Sequence, residues 1–336
     1  MGALQDRVAV VTGASSGIGR ATALELADRG AAVVVTARRE DALDEVAQAC
    51  RERGAEAIAL PADVTDADAV DDVARRTAGT YGRIDVWINN ASVNLFAPIE
   101  EAPVELWHRV VQTNLFGAYH GVRGALPWMR EQGEGVIVNV GSVLSRVGSP
   151  YQSAYVTSKH AVRALSDCAR QEVGDVPGID VCTVLPGPVD TPLFHHAGNY
   201  TGREVEPVTP VASAQRAAAT IVACAARPRH EAIVGASTAP ALVANRLAPS
   251  LVERVAARQV AKDHFGTSPA RASPGNLVES TGATTVSGGW SRGSQQVGVE
   301  SRRAASTRGG GIRIRGSVVA GVVASAALAV WAVRRA

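Results

Sequence analysis

Thr12-Gly13-Ala14-Ser15-Ser16-Gly17-Ile18-Gly19 joins an apolar run, residues 8–11, to a helix-forming stretch. Val8-Ala9-Val10-Val11 lacks polar alternation, which suits a strand covered on both faces in a parallel sheet. Such a strand needs a crossover, and glycines let the chain turn tightly into one. They also let the backbone come close to a ligand, and the free N–H groups of the helix start favour a pyrophosphate. Taken alone, a glycine-rich turn is as compatible with a plain turn. Its place at the first strand–helix junction points to dinucleotide binding through Thr12, Gly13, Ser15, Ser16, Gly17, Ile18 and Gly19.

The same unit recurs. Strands are expected at 8–11, 32–36, 57–60, 85–88, 135–140, 179–185 and 231–234. Helices are expected at 20–29, 39–53, 67–80, 154–173 and 212–226, with a long one near 104–129 bent at Pro127. Seven strands alternating with helices predict an α/β fold, a Rossmann-like doubly wound parallel sheet. A chain that is 46% hydrophobic and 20% charged is not disordered as a whole.

The net charge of +2 conceals two regions. Residues 1–265 hold 25 basic and 30 acidic residues, and residues 266–336 hold 9 and 2. Of the 51 positions in 266–316, 26 are Gly, Ser, Thr or Pro and only eight are large apolar residues. That composition predicts a flexible linker after a catalytic body at 1–265. Residues 317–333 are 17 consecutive uncharged residues, with Arg313 and Arg315 before and Arg334 and Arg335 after. As a helix they would measure about 26 Å against a hydrocarbon core of about 30 Å. The segment is read as a C-terminal membrane helix, with docking on the body or on a second subunit as the plainer alternative. Ser317, Gly321, Ser325 and Ala329 form a small-residue stripe on it. The basic tail is not read as a nucleic-acid element, because its arginines are sparse and Trp290 is its lone aromatic before the apolar run. No secretory signal precedes the first strand, so a cytoplasmic body is expected. Cys50, Cys168, Cys182 and Cys224 show no paired spacing, which predicts buried thiols and neither a disulfide framework nor a metal site.

Three further features bear on chemistry. The second strand ends in Thr36-Ala37-Arg38-Arg39, where arginines suit a ribose 2′-phosphate and an acid would suit a 2′-hydroxyl. NADP(H) is therefore expected, with NAD(H) as the alternative, although Glu40 and Asp41 follow closely. Tyr155 and Lys159 stand i,i+4 on one helix face. A neighbouring ammonium favours the phenolate, which would make Tyr155 a general acid/base. Lysine occurs only at 159 and 262, so the ammonium at 159 stands out. Ser142, 13 residues upstream and just past the fifth strand, can bind a substrate oxygen near Tyr155.

Together these motifs resemble a short-chain dehydrogenase/reductase of the short, single-domain branch, over roughly residues 5–236. Thr12 to Gly19 matches its Thr-Gly-x3-Gly-x-Gly pattern, and Asn89-Asn90-Ala91 matches the motif after the fourth strand. The resemblance implies that Asp63 contacts the adenine, that Pro186, Gly187 and Thr191 lie on the nicotinamide side, and that Val64, Asn90 and Ala91 also bind the cofactor. It implies a catalytic tetrad of Asn114, Ser142, Tyr155 and Lys159. Tyr155 would exchange a proton with the substrate oxygen, and Ser142 would polarise that oxygen. Lys159 would lower the Tyr155 pKa and bind the nicotinamide ribose, and Asn114 would hold a water in a relay towards Lys159. The implied activity interconverts a secondary alcohol and a ketone by hydride transfer, and a homo-oligomer is expected.

There are departures. Ser92 replaces the glycine that usually follows Asn-Asn-Ala, and residues 239–264 replace the family's glycine-rich ending. Val243, Leu247, Leu251 and Val255 lie at four-residue spacing beside Arg246, Arg254, Arg258 and Lys262. This predicts a basic amphipathic helix, kinked or started by Pro249, whose apolar face packs on the body, with a position on a membrane surface as the alternative. The substrate pocket is expected to draw on Leu95, Phe96, Val143, Leu144, Leu193 and Phe194, which suits a partly apolar alcohol or carbonyl. His195 and His196 receive no catalytic role. The second reading is a non-catalytic, cofactor-sensing scaffold that recruits a partner or membrane through its tail. Fractionation of the full chain against a chain ended at Gly316 tests the anchor. Pelleting with membranes only when residues 317–333 are present is expected, and a full chain that stays soluble without detergent contradicts it.

Overall fold

A computed structural model describes residues 4–235, 239–280, 282 and 284–290. Seven parallel strands make the central sheet: β1 (Val8–Thr12), β2 (Ala32–Thr36), β3 (Ala57–Ala59), β4 (Val86–Asn89), β5 (Gly135–Val140), β6 (Ile179–Pro186) and β7 (Glu231–Val234). Their order is β7-β6-β5-β4-β1-β2-β3. β1 is buried along its whole length, and its Val10 stands between Val34 of β2 and Trp87 of β4. The chain winds outward from β1 through β2 to β3 and then resumes on the opposite side with β4. The connections after β1 and β4 therefore part at their carboxyl ends, and a cleft opens there.

Helices cover both faces. α1 (Gly17–Asp28), α2 (Glu40–Arg51) and α8 (Ala214–Ala226) enclose one apolar core with Val11, Val33 and Val35. α3 (Ala67–Tyr81), α5 (Gly117–Gln132) and α6 (Ser153–Glu172) enclose the other with Val10, Trp87 and Ile137. Local signals set the ends: the Asp66 carboxylate accepts the N–H groups of Asp68 and Ala69, and Gly82 ends α3 at φ 73°. α1 starts at Gly17, three residues before the expected start, because the glycine turn is itself the helix entry.

The long helix expected at 104–129 is interrupted. α4 (Val104–Val111) runs into a π turn, Gln112–Phe116, and continues as α5, which holds Pro127 internally. Between α6 and α8 lies the short α7 (Leu193–His196). Beyond β7, α9 (Ala239–Leu247) and α10 (Pro249–Asp263) are separate helices, with Pro249 at the start of the second. The expected apolar stripe is only partly covered, with Val255 half-buried. Leu247 and Leu251 are exposed, whereas Leu242, Ala244 and Val260 are buried. The side chains of Val243 and Lys262 lie outside the described set. Cys168 is exposed, unlike the other three cysteines.

The stretch read as a linker departs most from expectation. Phe265–Pro269 forms a strand antiparallel to Arg203–Val205. Beyond it the chain returns across the carboxyl edge of the sheet, and Leu277 is buried beside Val93, Leu95, Val110 and Tyr155. The glycines here serve close approach. A Cβ on Gly275 would lie 2.3 Å from His196 O, and one on Gly288 would lie 2.3 Å from Thr191 O. Residues 291–316 and the apolar run 317–333 lie outside the described residues. Among the described residues, no helix is long and apolar enough to cross a membrane.

Candidate active site

The cleft at the ends of β1 and β4 is built by close contact. Gly13 (φ 65°) and Gly17 (φ 54°) take left-handed backbone. A Cβ on Gly13 would lie 2.7 Å from Ala91 Cα, and one on Gly19 would lie 2.2 Å from Gly13 O. Thr12 lies beneath the cleft. Its hydroxyl accepts the N–H groups of Asn90 (3.0 Å) and Ala91 (3.1 Å), and the Asn90 amide donates to Thr12 O (2.9 Å). Gly13, Ser15, Ser16, Gly17, Ile18, Gly19, Arg38, Asp63, Val64, Asn90, Ala91 and Thr191 line a cavity of about 170 Å³. Arg109 Nη2 donates to Asp63 Oδ2 at 2.6 Å. That bond, with those from Thr65, holds the Asp63 carboxyl below its usual range against the opposing effect of burial.

The cleft suits a polar dinucleotide. Six buried side-chain polar atoms lack a partner among the described residues, and four belong to this region. Ser92 Oγ and Asn276 Oδ1 belong to residues that line the cavity, and Thr36 Oγ1 and Arg39 Nε flank it at the end of β2. Buried polar atoms are rarely left without a partner, so a ligand that supplies bonds is the physical expectation.

A second cavity of about 240 Å³ shares Ile18, Asn90, Thr191 and Leu193 with the first. Ser142, Tyr155, Lys159, Pro186 and Gly187 line it. Tyr155 and Lys159 stand one turn apart on α6, both buried, with Lys159 Nζ 5.6 Å from the Tyr155 ring centre. Lys159 Nζ donates to Val140 O at 2.8 Å. Burial pushes the Tyr155 phenol up to about 12, opposed by a hydrogen bond with Ser142. Burial likewise pushes Lys159 down to about 7. The sequence argument expected the ammonium to set the phenol. Here desolvation dominates, and it favours the neutral form of both groups. Ser142 caps a short turn, Val143–Ser145, by accepting Leu144 N–H at 3.1 Å, which fixes its hydroxyl at the end of β5.

Asn114 sits within the π turn and is 2% exposed. Its carboxamide accepts Val93 N–H (2.8 Å) and donates to Val93 O (3.0 Å) and Ser158 Oγ (3.0 Å). It thus ties the loop after β4 to α6 at Ser158, the residue before Lys159.

Val143, Leu144, Leu193 and Phe194 line the second cavity as expected. Leu95 and Phe96 do not, because both are buried in the core. Sequence reasoning missed Asn94, Gln152, Val208, Val260 and His264. Asn94 Nδ2 donates to Gln152 Oε1 (2.9 Å), and Gln152 Nε2 meets His264 Nε2 (3.2 Å) and Ser149 Oγ (3.1 Å). Burial pushes His264 down to about 4, so the ring is neutral near pH 7. Gln152 could have been found from its i,i+3 spacing to Tyr155; nothing local marks His264. His195 stacks on Trp290 at 4.3 Å, and His196 borders the first cavity. Among the described residues, no group of His, Cys, Asp or Glu could hold a metal ion.

Comparison with known proteins points to one family. The short chain dehydrogenase family model matches residues 7–200. An uncharacterized oxidoreductase of Bacillus subtilis (strain 168) is 34% identical over 255 residues, 75% of this chain and 72% of the relative. Cis-4-hydroxycyclohexanecarboxylate dehydrogenase of Sinomonas cyclohexanicum is 44% identical over 192 residues, 57% of this chain and 76% of its own. D-beta-hydroxybutyrate dehydrogenase of Rhizobium meliloti (strain 1021) is 37% identical over 191 residues, 56% and 73% respectively.

The lowered Lys159 pKa gives a test of burial. Below about pH 7 the folded and unfolded chains both carry this charge, and folding bears the full cost of burying it. Between about 7 and the ordinary lysine value, the folded state sheds its proton first and the cost declines. Lys159→Met is therefore expected to raise the melting temperature most at pH 6 and progressively less towards pH 9. A difference that does not vary with pH over this window contradicts it.

Proposed function

Because the chain belongs to the short-chain dehydrogenase family, we propose that this oxidoreductase interconverts a secondary alcohol and a ketone, using NADP(H) in preference to NAD(H). One observation carries the reading. The Tyr155 and Ser142 hydroxyls and the Lys159 amine line one cavity that shares four residues with the glycine-lined cleft. The nicotinamide would supply or accept the hydride.

The chain's own residues would bind, orient and move a proton. Tyr155 is protonated at neutral pH, so its Oη can pass a proton to the alkoxide that forms on ketone reduction. In the reverse direction the same oxygen removes it. Ser142 Oγ would hydrogen-bond the substrate oxygen and fix its distance from Tyr155. Lys159, once paired with ribose hydroxyls, would be held charged and would ease loss of the phenol proton. Asn114 positions the loop and helix that frame this corner. Arg38 and Arg39, at the end of β2, would take the 2′-phosphate, and the absence of an acid at those positions supports NADP(H).

The cavity also narrows the substrate. Val143, Leu144, Leu193, Phe194, Val208 and Val260 give it apolar walls. Among its described lining residues Lys159 is the sole cation, and His264 is neutral. Two relatives are named for hydroxy acids, but a carboxylate here would find no second cation to pair with. A neutral, partly apolar alcohol or ketone fits better.

A panel of neutral cyclic and acyclic ketones and alcohols, followed by NADPH and NADH consumption, tests this. Tyr155→Phe is expected to lower kcat by about 10²–10⁴-fold while cofactor binding persists. Turnover that survives Tyr155→Phe contradicts the mechanism. Cofactor binding with no turnover in either form favours the scaffold.

A further inference from the structure

The described residues between Ser273 and Trp290 lie against the hydrogen-bond donors of the glycine-lined cleft. Arg38 Nη2 and Nη1 donate to the carbonyls of Asn276 (2.8 Å) and Val278 (3.3 Å). Arg39 Nη1 donates to Gly282 O (3.0 Å) and Arg20 Nη1 to Thr284 O (2.8 Å). The first N–H of α1, on Gly17, donates to Thr285 O at 3.0 Å. Five strap carbonyls thus face the arginines and the amide that the cleft would present to phosphate. Carbonyl and phosphate oxygens compete for the same N–H groups.

The strap is latched at its far end. Asp190, 3% exposed, accepts Ser287 Oγ, Gly288 N–H and Trp290 N–H, each at 2.9 Å. Trp290 Nε1 donates to Thr191 O (3.1 Å), and its ring stacks on His195. At its near end Leu277, 1% exposed, sits in the core. The strap nevertheless walls the cleft without filling it, because Asn276 and Ser280 line a cavity that remains. All these strap residues lie outside the 7–200 family match.

We propose that this strap is a built-in competitor for the adenosine 2′-phosphate, so that its latching sets how strongly the enzyme discriminates NADP(H) from NAD(H). The inference rests on the reading of the cleft as a dinucleotide site. A 2′-phosphate needs Arg38 and Arg39 and must draw them from the strap carbonyls. Its negative charge makes it the stronger ligand for a guanidinium, so the exchange is feasible, but it diminishes the affinity gained. A ribose 2′-hydroxyl asks little of these arginines, so NAD(H) leaves their strap bonds in place and contends only for the Gly17 N–H, a demand that both cofactors share. Discrimination thus depends on a segment remote in sequence from the β2 arginines.

The test is equilibrium binding of NADPH and NADH to the full chain and to Ser287→Ala/Trp290→Ala, which frees the latch. NADPH is expected to tighten about tenfold more than NADH does, the worth of one charge-assisted hydrogen bond. Adding Arg38→Met should abolish the difference. If the double variant does not fold, Gly288→Ala, whose Cβ would collide with Thr191 O, should shift NADPH in the same direction. Equal tightening for both cofactors, weakening of both, or no change overturns the inference and leaves the dinucleotide site standing. Failure of every form to bind either cofactor overturns the reading of the cleft itself.

Discussion

Thr12 joins the ends of β1 and β4 through a single hydroxyl, which accepts the N–H groups of Asn90 and Ala91. The two connections part at this point, and any side chain on Gly13 or Gly19 would force them further apart. Positions of the helix start, the Asn90–Ser92 turn and the Val93 loop all follow from this contact. Asn114 carries it onward by clamping Val93 to Ser158 on α6, the helix that bears Tyr155 and Lys159. The glycine-lined cleft and the Tyr155 cavity are therefore one connected construction, and a small displacement at Thr12 would be felt at Tyr155.

Burial of ionisable groups is the second organising constraint. Tyr155, Lys159 and His264 are all buried near one cavity, and burial drives each towards its neutral form. This favours a phenol that holds its proton, the form that the proposed protonation of an alkoxide would use. It costs stability at Lys159, whose observed compensation is one bond to Val140 O. Such an arrangement makes sense where a bound ligand supplies the missing polar partners, in keeping with the partnerless atoms of Ser92 and Asn276 in the adjoining cleft.

Much of this was legible in the sequence. Apolar strands without alternation announce a parallel sheet, and the glycine turn announces its first crossover. The i,i+4 spacing of Tyr155 and Lys159 reads directly as one helix face. What was not legible has physical reasons. The π turn at Gln112–Phe116 leaves the 3.6-residue periodicity nearly intact, so the helix looks continuous. Leu95 and Phe96 have pocket-like composition, but their short strand turns them into the core. The glycines of the 266–290 stretch were read as slack, whereas Gly275 and Gly288 are small because backbone passes within contact of His196 and Thr191. Composition does not distinguish a loose segment from one pressed closely against a body. Gln152 and His264 meet across 112 residues, which no local pattern encodes.

The account turns on hydride passing directly between a nicotinamide and a substrate carbon within the Tyr155 cavity. The most direct measurement supplies NADPH deuterated at the transferring C4 position with a neutral ketone and locates the label by mass spectrometry. Label on the carbinol carbon of the product, lost when Tyr155 is replaced by Phe, is the predicted result. Ketone consumption with the label retained on the nicotinamide or released to water would contradict it.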